Sequence, residues 1–283
     1  GLVEFKGLLP FTKNNVKIAT CVDHYYWRFL NMNLVIDIGN TVVKVGLFEK
    51  EKLLLRGNFS THPYRESDEW GISLKNWLNI HLGSSIIDKV IISSVAQTAL
   101  VPIKKAIPRY FKVNPVEVNY KLAGIPVLCD NPEEVGADRI ANAVAIVRMY
   151  TLPAVAVDFG TATTFDVISE GGEYIGGVIA PGIRVASESL WQRAERLFPV
   201  EFRKPSFVIG KNTADNLTSG IFYGCIGMVK EILNQIEHEM GQIKSIVATG
   251  GLGEIVSSEC KMISSVNPDL TLQGLNFIAL DLK

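Results

Sequence analysis

One arrangement of residues occurs twice in the chain and constrains the fold more than any other feature. Each copy has an apolar run, an aspartate, one further residue, a glycine, an asparagine or threonine, and then a β-rich run. The aspartates Asp37 and Asp158 are separated by 121 positions (158 − 37), and so are the glycines Gly39 and Gly160 (160 − 39). A repeat of this length with matched glycines predicts two similar lobes that face each other.

The first copy predicts a β-hairpin that binds phosphate. Asn40 and Thr41 stand where a hairpin turn is expected, between two β-branched runs. Backbone N–H groups of such a turn can form an anion-binding nest. Asp37 could hold Mg²⁺ against that phosphate, since Mg²⁺ prefers one or two carboxylates together with phosphate oxygens. Lys44, on the returning strand, could add a positive charge. An ordinary hairpin with an aspartate cap is the alternative interpretation of this copy taken alone.

Together, the two copies favour one phosphate site shared by both lobes. A nucleotide held between two such hairpins resembles the arrangement of the actin-like ATPase and sugar kinase superfamily. The fold class implied is α/β, with two similar ribonuclease H-like lobes, each a mixed sheet flanked by helices. We expect the lobes to span residues 32–150 and 151–283. Residues 1–31 show no clear period; they are predicted to be a tag remnant or upstream extension without stable structure, with a hairpin over residues 16–20 as the alternative.

Charge, hydropathy and cysteine spacing exclude several classes of function. The 28 basic and 29 acidic residues give a net charge of −1, so we expect no binding to nucleic acid or to a membrane. No apolar run reaches the roughly 18 residues that a membrane span needs. The four cysteines are far apart and form no Cys-x-x-Cys pair. This spacing disfavours a structural zinc site and predicts a cytoplasmic protein with reduced thiols.

A second motif, from Gly136 to Arg139, lies at the start of a predicted helix. An aspartate such as Asp138 is often only a charge that favours the helix N-terminus, and an arginine beside it is often only a surface residue. The functional interpretation is an aspartate that accepts a proton beside an arginine that binds a carboxylate with two hydrogen bonds. The pair by itself does not decide between these interpretations.

Hydrophobic periodicity places the remaining elements. It predicts helices over residues 66–81, 100–110, 183–197 and 214–240, and another from about residue 138. Gly220, Gly224 and Gly227 would let the longest helix pack closely against another helix, for example across a subunit boundary; packing between this helix and the sheet of its own lobe is the alternative. Residues 270–282 are predicted to form short strands, or a strand and a helix.

The motifs, taken in order, carry a family resemblance. From Met32 to roughly the C-terminus the chain resembles type III pantothenate kinase, the first enzyme of coenzyme A synthesis. Any one motif could be accidental, whereas five or six in the family's order are specific. The matching segments are residues 37–41, 136–139, 158–164, 176–182, 210–213 and 249–251.

The resemblance implies a kinase that uses ATP to phosphorylate pantothenate to 4'-phosphopantothenate, with Mg²⁺ and with K⁺ or NH₄⁺. Asp138 would be the general base, Asp158 the monovalent-cation ligand, and Asp37 a Mg²⁺ ligand through phosphate. The residues that would bind pantothenate are Gly136, Ala137, Asp138, Arg139 and, from the partner subunit of a homodimer, Thr213. The residues that would bind ATP are Asp37, Ile38, Gly39, Asn40, Thr41, Val42, Val43, Lys44 and Thr161.

One position departs from the family pattern, and two other functions compete with the kinase. Cys129 stands seven positions before the motif glycine, where family members often carry a tyrosine, and this alters the expected shape of one side of the pocket. The alternatives are a non-catalytic nucleotide-binding regulator of the same superfamily and a phosphatase that acts on polyphosphate or nucleotides. The Asp138–Arg139 pair favours the kinase, because a pure binder needs no base beside a carboxylate-binding arginine.

Overall fold

The computed structural model describes residues 32–82 and 86–282. These residues form two five-stranded sheets and seven α-helices. The expectations for residues 1–31, including the hairpin alternative over residues 16–20, lie outside the described residues.

The first sheet is built on the hairpin that contains Asp37. Its strands are β1 (Met32–Ile38), β2 (Val42–Glu49), β3 (Lys52–Ser60), β4 (Ile87–Ser94) and β5 (Pro115–Glu117). They lie in the order β3-β2-β1-β4-β5. The pairs β1–β2 and β2–β3 are antiparallel, whereas β1–β4 and β4–β5 are parallel. β1 is buried along its whole length, as expected of a central strand that is covered on both faces.

The second sheet repeats this design around the hairpin that contains Asp158. Its strands are β6 (Ala154–Phe159), β7 (Ala162–Ile168), β8 (Tyr174–Pro181), β9 (Ser245–Gly250) and β10 (Ser265–Val266). They lie in the order β8-β7-β6-β9-β10, with two antiparallel and two parallel pairs. Strand for strand this is the order of the first sheet, which confirms the predicted pair of similar lobes with mixed sheets.

In the described part of the chain, seven α-helices flank the two sheets or lie between them. They are α1 (Ser67–Leu82), α2 (Gln97–Phe111), α3 (Ala137–Met149), α4 (Ile183–Arg193), α5 (Thr213–Met240), α6 (Gly253–Glu259) and α7 (Leu270–Asp281). α1 and α2 bury Trp70, Leu74 and Ile103 in the core of the first sheet. α5 buries Phe222 and Val229 in the core of the second sheet. One face of each sheet is therefore closed by its own apolar core.

Helices α3 and α7 lie between the sheets and pack tightly against each other. α7 contacts β1 and β4 of the first sheet, and α3 contacts β6 and β7 of the second. The two helices approach closely at Gly274, where a Cβ atom would lie 1.8 Å from the carbonyl oxygen of Ala141. This packing places the first turn of α3, with Asp138 and Arg139, at the junction of the two lobes.

The expectation of short strands, or of a strand and a helix, over residues 270–282 is wrong. The segment forms the single helix α7, and the short strand β10 precedes it. The physical reason is burial on most sides, since the helix residues Leu270, Leu272, Leu275 and Ile278 are 1% exposed or less. A helix without a polar face lacks the 3.6-residue stripe by which a sequence reveals it. The lobe boundary at residue 150 stays a prediction.

The helix composition and the cysteine thiols of the described residues relate to the expectations about membrane spans and redox state. Within residues 32–82 and 86–282, no helix combines the length and apolar composition that crossing a membrane requires. The thiols of Cys129, Cys225 and Cys260 are free.

Candidate active site

The two turns that follow Asp37 and Asp158 lie side by side. The hydroxyl oxygens of Thr41 and Thr161 are 3.4 Å apart, although 120 positions separate these residues in the chain. Each turn is closed by a backbone hydrogen bond, from Gly39 N to Val42 O at 3.1 Å and from Gly160 N to Ala162 O at 3.0 Å. A group bound at one turn would therefore contact the other.

Asp37 lies at the end of β1, in a polar cluster within the first lobe. Its Oδ1 accepts a hydrogen bond of 2.6 Å from the hydroxyl of Ser93, and its Oδ2 lies 3.9 Å from Nζ of Lys44. Burial raises the pKa of Asp37, with Lys44 and the Ser93 hydrogen bond opposing this rise. Ser93 was not predicted as a site residue. It stands beside Asp37 because β4 pairs in parallel with β1 in a register that aligns the two residues.

Lys44 faces several carboxylates at once. Burial lowers the pKa of Lys44, but Asp158, Asp37 and Asp138 together outweigh that effect and raise it. The lysine of the first lobe thus interacts electrostatically with the aspartate of the second lobe and with the start of α3. The predicted positive charge of the site is therefore a protonated ammonium group at neutral pH.

Asp138 occupies the first turn of α3 with a strongly shifted pKa. Burial and, to a smaller extent, the charge of Asp37 raise the pKa of this carboxyl, and the hydrogen bond from the backbone N–H of Arg139 opposes the rise; the resulting pKa is about 7. That bond is 2.9 Å long and ends on Oδ1 of Asp138. A carboxylate that titrates near neutral pH is suited to accept a proton from a substrate hydroxyl.

Arg139 is held by a buried carboxylate that the sequence did not single out. Its Nε donates a hydrogen bond of 2.6 Å to Oδ1 of Asp166, which is 0% exposed. The hydroxyl of Tyr174 donates to the same oxygen at 3.2 Å. The guanidinium carbon of Arg139 lies 5.8 Å from the centroid of the Tyr174 ring. Arg139 is thus fixed next to Asp138 by contacts with the second sheet.

Asp158 fits the role of a cation ligand. In the second sheet it stands opposite Thr249 on the parallel strand β9. Oδ1 of Asp158 and the hydroxyl of Thr249 are both buried without a hydrogen-bond partner among the described residues. A buried carboxylate oxygen without a donor is costly unless a cation or water satisfies it.

The site holds more negative than positive charge. The carboxylates are those of Asp37, Asp138, Asp158 and Asp166, and the cations are Lys44 and Arg139. Among the described residues, no three or more His, Cys, Asp or Glu side chains form a group that could hold a metal ion. A divalent ion here would need oxygen ligands from a bound molecule, which is how Mg²⁺ commonly binds together with phosphates.

Cys129 lies beside the region around Arg139 and Tyr174. It is half-buried against the cluster that contains Tyr174, and the neighbouring residue Leu128 pairs with the backbone of Tyr174. Burial raises the pKa of the Cys129 thiol, and Arg139 opposes the rise. The residue that departs from the family pattern is therefore within electrostatic range of Arg139.

Thr213 does not join the other predicted site residues within one chain. It is the first residue of α5 and is exposed. It lines an apolar cavity of about 590 Å³ between α4 and α5, together with Leu190, Gly220 and Gly224. The lining of this cavity includes neither Asp138 nor Arg139.

Two lobes with the same strand order and adjoining turns have the two-lobed fold of the actin-like ATPases and ROK sugar kinases. Solved structures show the same fold at low sequence identity. A ROK family glucokinase from Streptomyces griseus, in complex with glucose and AMPPNP, has a TM-score of 0.55 and 12% identity, over 88% of this chain and 99% of that one. The ethanolamine utilization protein EutJ from Carboxydothermus hydrogenoformans has a TM-score of 0.52 and 12% identity, over 87% and 89%.

The chain belongs to the type III pantothenate kinase family. The family model of that description matches residues 33–235. A type III pantothenate kinase from Myxococcus xanthus is 44% identical over 253 residues, which cover 87% of this chain and 97% of the relative. Another, from Bacillus cytotoxicus, is 40% identical over 247 residues, or 86% and 94%. The resemblance seen in the sequence motifs is therefore confirmed.

Proposed function

We propose that this protein transfers the γ-phosphoryl group of ATP to the primary hydroxyl of pantothenate, the first step of coenzyme A synthesis. One observation carries the proposal: Asp138, whose pKa is raised to about 7 by burial, stands beside Arg139 and within electrostatic range of Asp37 and Asp158. A base, a carboxylate-binding group and two phosphate-type turns are the parts that such a transfer requires.

In the proposed reaction, the two turns position the triphosphate. Phosphoryl transfer asks a protein mainly for alignment and charge neutralisation. Residues 39–41 and Thr161 would contact phosphate oxygens, and Lys44 would offset part of their charge. Mg²⁺ bound with ATP would supply further charge neutralisation, with Asp37 as the carboxylate nearest to that phosphate site.

Asp138 and Arg139 would orient and activate the acceptor. Arg139 binds the carboxylate of pantothenate and thereby sets the distance from the carboxylate to the primary hydroxyl. Asp138 accepts the proton of that hydroxyl as the oxygen attacks the γ-phosphorus. Gly136 and Ala137 complete the wall of the pantothenate site at the start of α3.

A monovalent cation, K⁺ or NH₄⁺, is proposed to bind at Asp158. The buried, unpartnered Oδ1 of Asp158 and hydroxyl of Thr249 support this assignment. A bound cation would also reduce the repulsion between Asp158 and the phosphates at Thr161. The expected result is kinase activity that depends on K⁺ and falls when Na⁺ replaces it.

A homodimer is proposed to complete the site through Thr213. Gly220, Gly224 and Gly227 of α5 have open space where a Cβ would be, and the apolar cavity beside them would be covered by a second copy of α5. Thr213 at the start of this helix would then contact pantothenate in the partner's site. We also propose a cytoplasmic location, which the free thiols of the described cysteines support.

The test is an assay of ADP release with and without pantothenate, in K⁺ and in Na⁺ buffer. A kinase releases ADP only when pantothenate is present, and mass spectrometry identifies 4'-phosphopantothenate as the product. Phosphate release without pantothenate would instead indicate the phosphatase alternative. Nucleotide binding without turnover in either buffer would indicate the non-catalytic regulator.

A further inference from the structure

Asp166 has a buried position that phosphoryl transfer alone does not explain. It lies on β7, on the face of the second sheet that carries Asp158, because residues opposite each other in a sheet share a face and Asp158 pairs with Thr164, two positions before Asp166. Its Oδ1 receives hydrogen bonds from Arg139 and Tyr174, and its Oδ2 is buried without a partner among the described residues.

The contacts of Arg139 occupy one edge of its guanidinium group. Nε and Nη2 share that edge; Nε donates to Asp166, and Nη2 donates to the carbonyl oxygen of Phe165 at 3.4 Å. The second edge is formed by Nη1 and Nη2 and can bind a carboxylate with two parallel hydrogen bonds. Within the described part of the chain, Nη1 has no hydrogen-bond partner. Asp166 thus already occupies the Nε–Nη2 edge, and the Nη1–Nη2 edge remains available for a second carboxylate.

Gly177 on β8 makes room for this arrangement. A Cβ at this position would lie 2.6 Å from Nη2 of Arg139 and 1.9 Å from the carbonyl oxygen of Phe165. The guanidinium group therefore fits into a pocket of defined shape, which we call the Arg139 socket and which is formed by Asp166, Phe165, Tyr174 and Gly177. Because Asp166 is 0% exposed and the Arg139 side chain is only 15% exposed, the ion pair between them is shielded from water.

We propose that Asp166 is a positioning residue of the substrate site, which holds Arg139 so that its Nη1–Nη2 edge faces the carboxylate of the substrate. This inference rests on the proposed function, in which Arg139 binds pantothenate. Without Asp166, the Arg139 side chain could adopt several rotamers. Binding of the substrate would then have to order this side chain, which costs free energy and weakens affinity. Asp166 acts on affinity for an acidic substrate, because its hydrogen bonds come from Arg139 and Tyr174 and reach neither Asp138 nor the two turns.

The decisive comparison uses two substrates that differ at one end. Pantothenate carries the carboxylate, and pantothenyl alcohol carries a CH₂OH group in its place, with the same primary hydroxyl at the other end. Asp166→Asn is expected to raise KM for pantothenate about 10- to 100-fold, the size expected of a charged hydrogen bond, and to change kcat less than threefold. KM for ATP is expected to stay within about twofold of wild type. The same is expected of KM for pantothenyl alcohol or, if this compound is an inhibitor, of its inhibition constant.

A second variant keeps the test valid if Asp166→Asn folds poorly. Tyr174→Phe removes one hydrogen bond to Asp166 and leaves the Asp166–Arg139 contact in place, so a smaller rise in KM, for pantothenate only, is expected. Glu170→Gln is the matched control, because Glu170 is an exposed carboxylate near the other end of the same hairpin and forms an ion pair with Lys244.

Two results would separate the possible failures. Equal losses for pantothenate and pantothenyl alcohol in both variants would make Asp166 a structural residue and overturn the inference. Wild-type protein that does not phosphorylate pantothenate would instead refute the proposed function. Coupling is a further check: in an Arg139→Lys background, Asp166→Asn is expected to have little additional effect on KM for pantothenate.

Discussion

The hydroxyl oxygens of Thr41 and Thr161 lie 3.4 Å apart, so the turns of the two lobes meet across the molecule. Each hydroxyl can donate a hydrogen bond to a phosphate oxygen. Because the two turns adjoin, a phosphate chain bound at one of them would contact both lobes.

Replacing Thr161 with Val is therefore expected to weaken ATP binding. The valine keeps the shape of the side chain and removes a hydrogen bond to a charged oxygen, which contributes about 1.5–3 kcal/mol. KM for ATP should rise about 10- to 100-fold, with a smaller change in KM for pantothenate, measured by ADP release. Thr151→Val, at an exposed position before β6, is the control. An unchanged KM for ATP would remove Thr161 from the proposed phosphate site.

Replacing Asp138 with Asn is expected to abolish most of the turnover. The amide keeps the size of the side chain but cannot accept the proton, so kcat should fall on the order of 10²–10⁴-fold. In wild-type protein, kcat/KM for pantothenate should rise with pH and level off above a midpoint near 7, because the pKa of Asp138 is raised to about 7. This rise should be absent in Asp138→Asn. Near-normal turnover would rule out the role of general base, and Asp88→Asn, at an exposed position, serves as control.

Asp138→Asn is also expected to stabilise the fold at high pH. The pKa of Asp138 is raised from 3.8 to about 7, so the native state binds the proton more tightly than the unfolded state does. Wild-type stability therefore falls as pH rises from about 4 to 7, and the loss is complete above 7. Asparagine mimics the protonated carboxyl and avoids this loss.

Thermal unfolding at several pH values measures this effect. Asp138→Asn and wild type should have similar Tm values near pH 4, and the variant should gain about 1–4 kcal/mol by pH 8. A difference that is constant across the pH range would show that Asp138 is not the titrating group. Ligand-free protein is required, because bound ATP would change the charge around Asp138.

Replacing Gly224 with Glu is expected to separate the proposed homodimer. A Cβ at this position meets nothing within 4 Å, and Glu forms helices better than Gly by about 0.5–1 kcal/mol, so the monomer should fold at least as well. The introduced charge would be buried in the apolar interface. Light scattering should then report a monomer, and KM for pantothenate should rise because Thr213 is no longer supplied. Asn234→Glu, on an exposed part of α5, should remain dimeric. Wild-type protein that is monomeric would contradict the proposal.

The sequence predicted the parts of the site that are local in the chain. Asp37 and Asp158 each end a strand just before a turn, and this pattern can be recognised without knowledge of what lies nearby. Asp138 and Arg139 are likewise adjacent in one motif at a helix start. The repeat also predicted two similar lobes, which the matching strand orders confirm.

The residues that were missed owe their positions to long-range pairing. Ser93 reaches Asp37 through the register of two parallel strands, and Asp166 reaches Arg139 from the other lobe. Asp166 is the one charged residue of strand β7, and a charge within a strand was the available signal. Helix α7 was misassigned because burial on most sides removed its periodicity.

The packing of α7 has a consequence for the order of events during synthesis. The inner face of the first sheet is covered by Leu272, Leu275 and Ile278, which are translated long after β5. When the first lobe has been translated, the inner face of its sheet therefore still lacks the cover of α7, and a partly exposed apolar face is the kind of surface that chaperones recognise. The inner face of the first sheet has to wait for the whole second lobe to be translated before α7 can cover it.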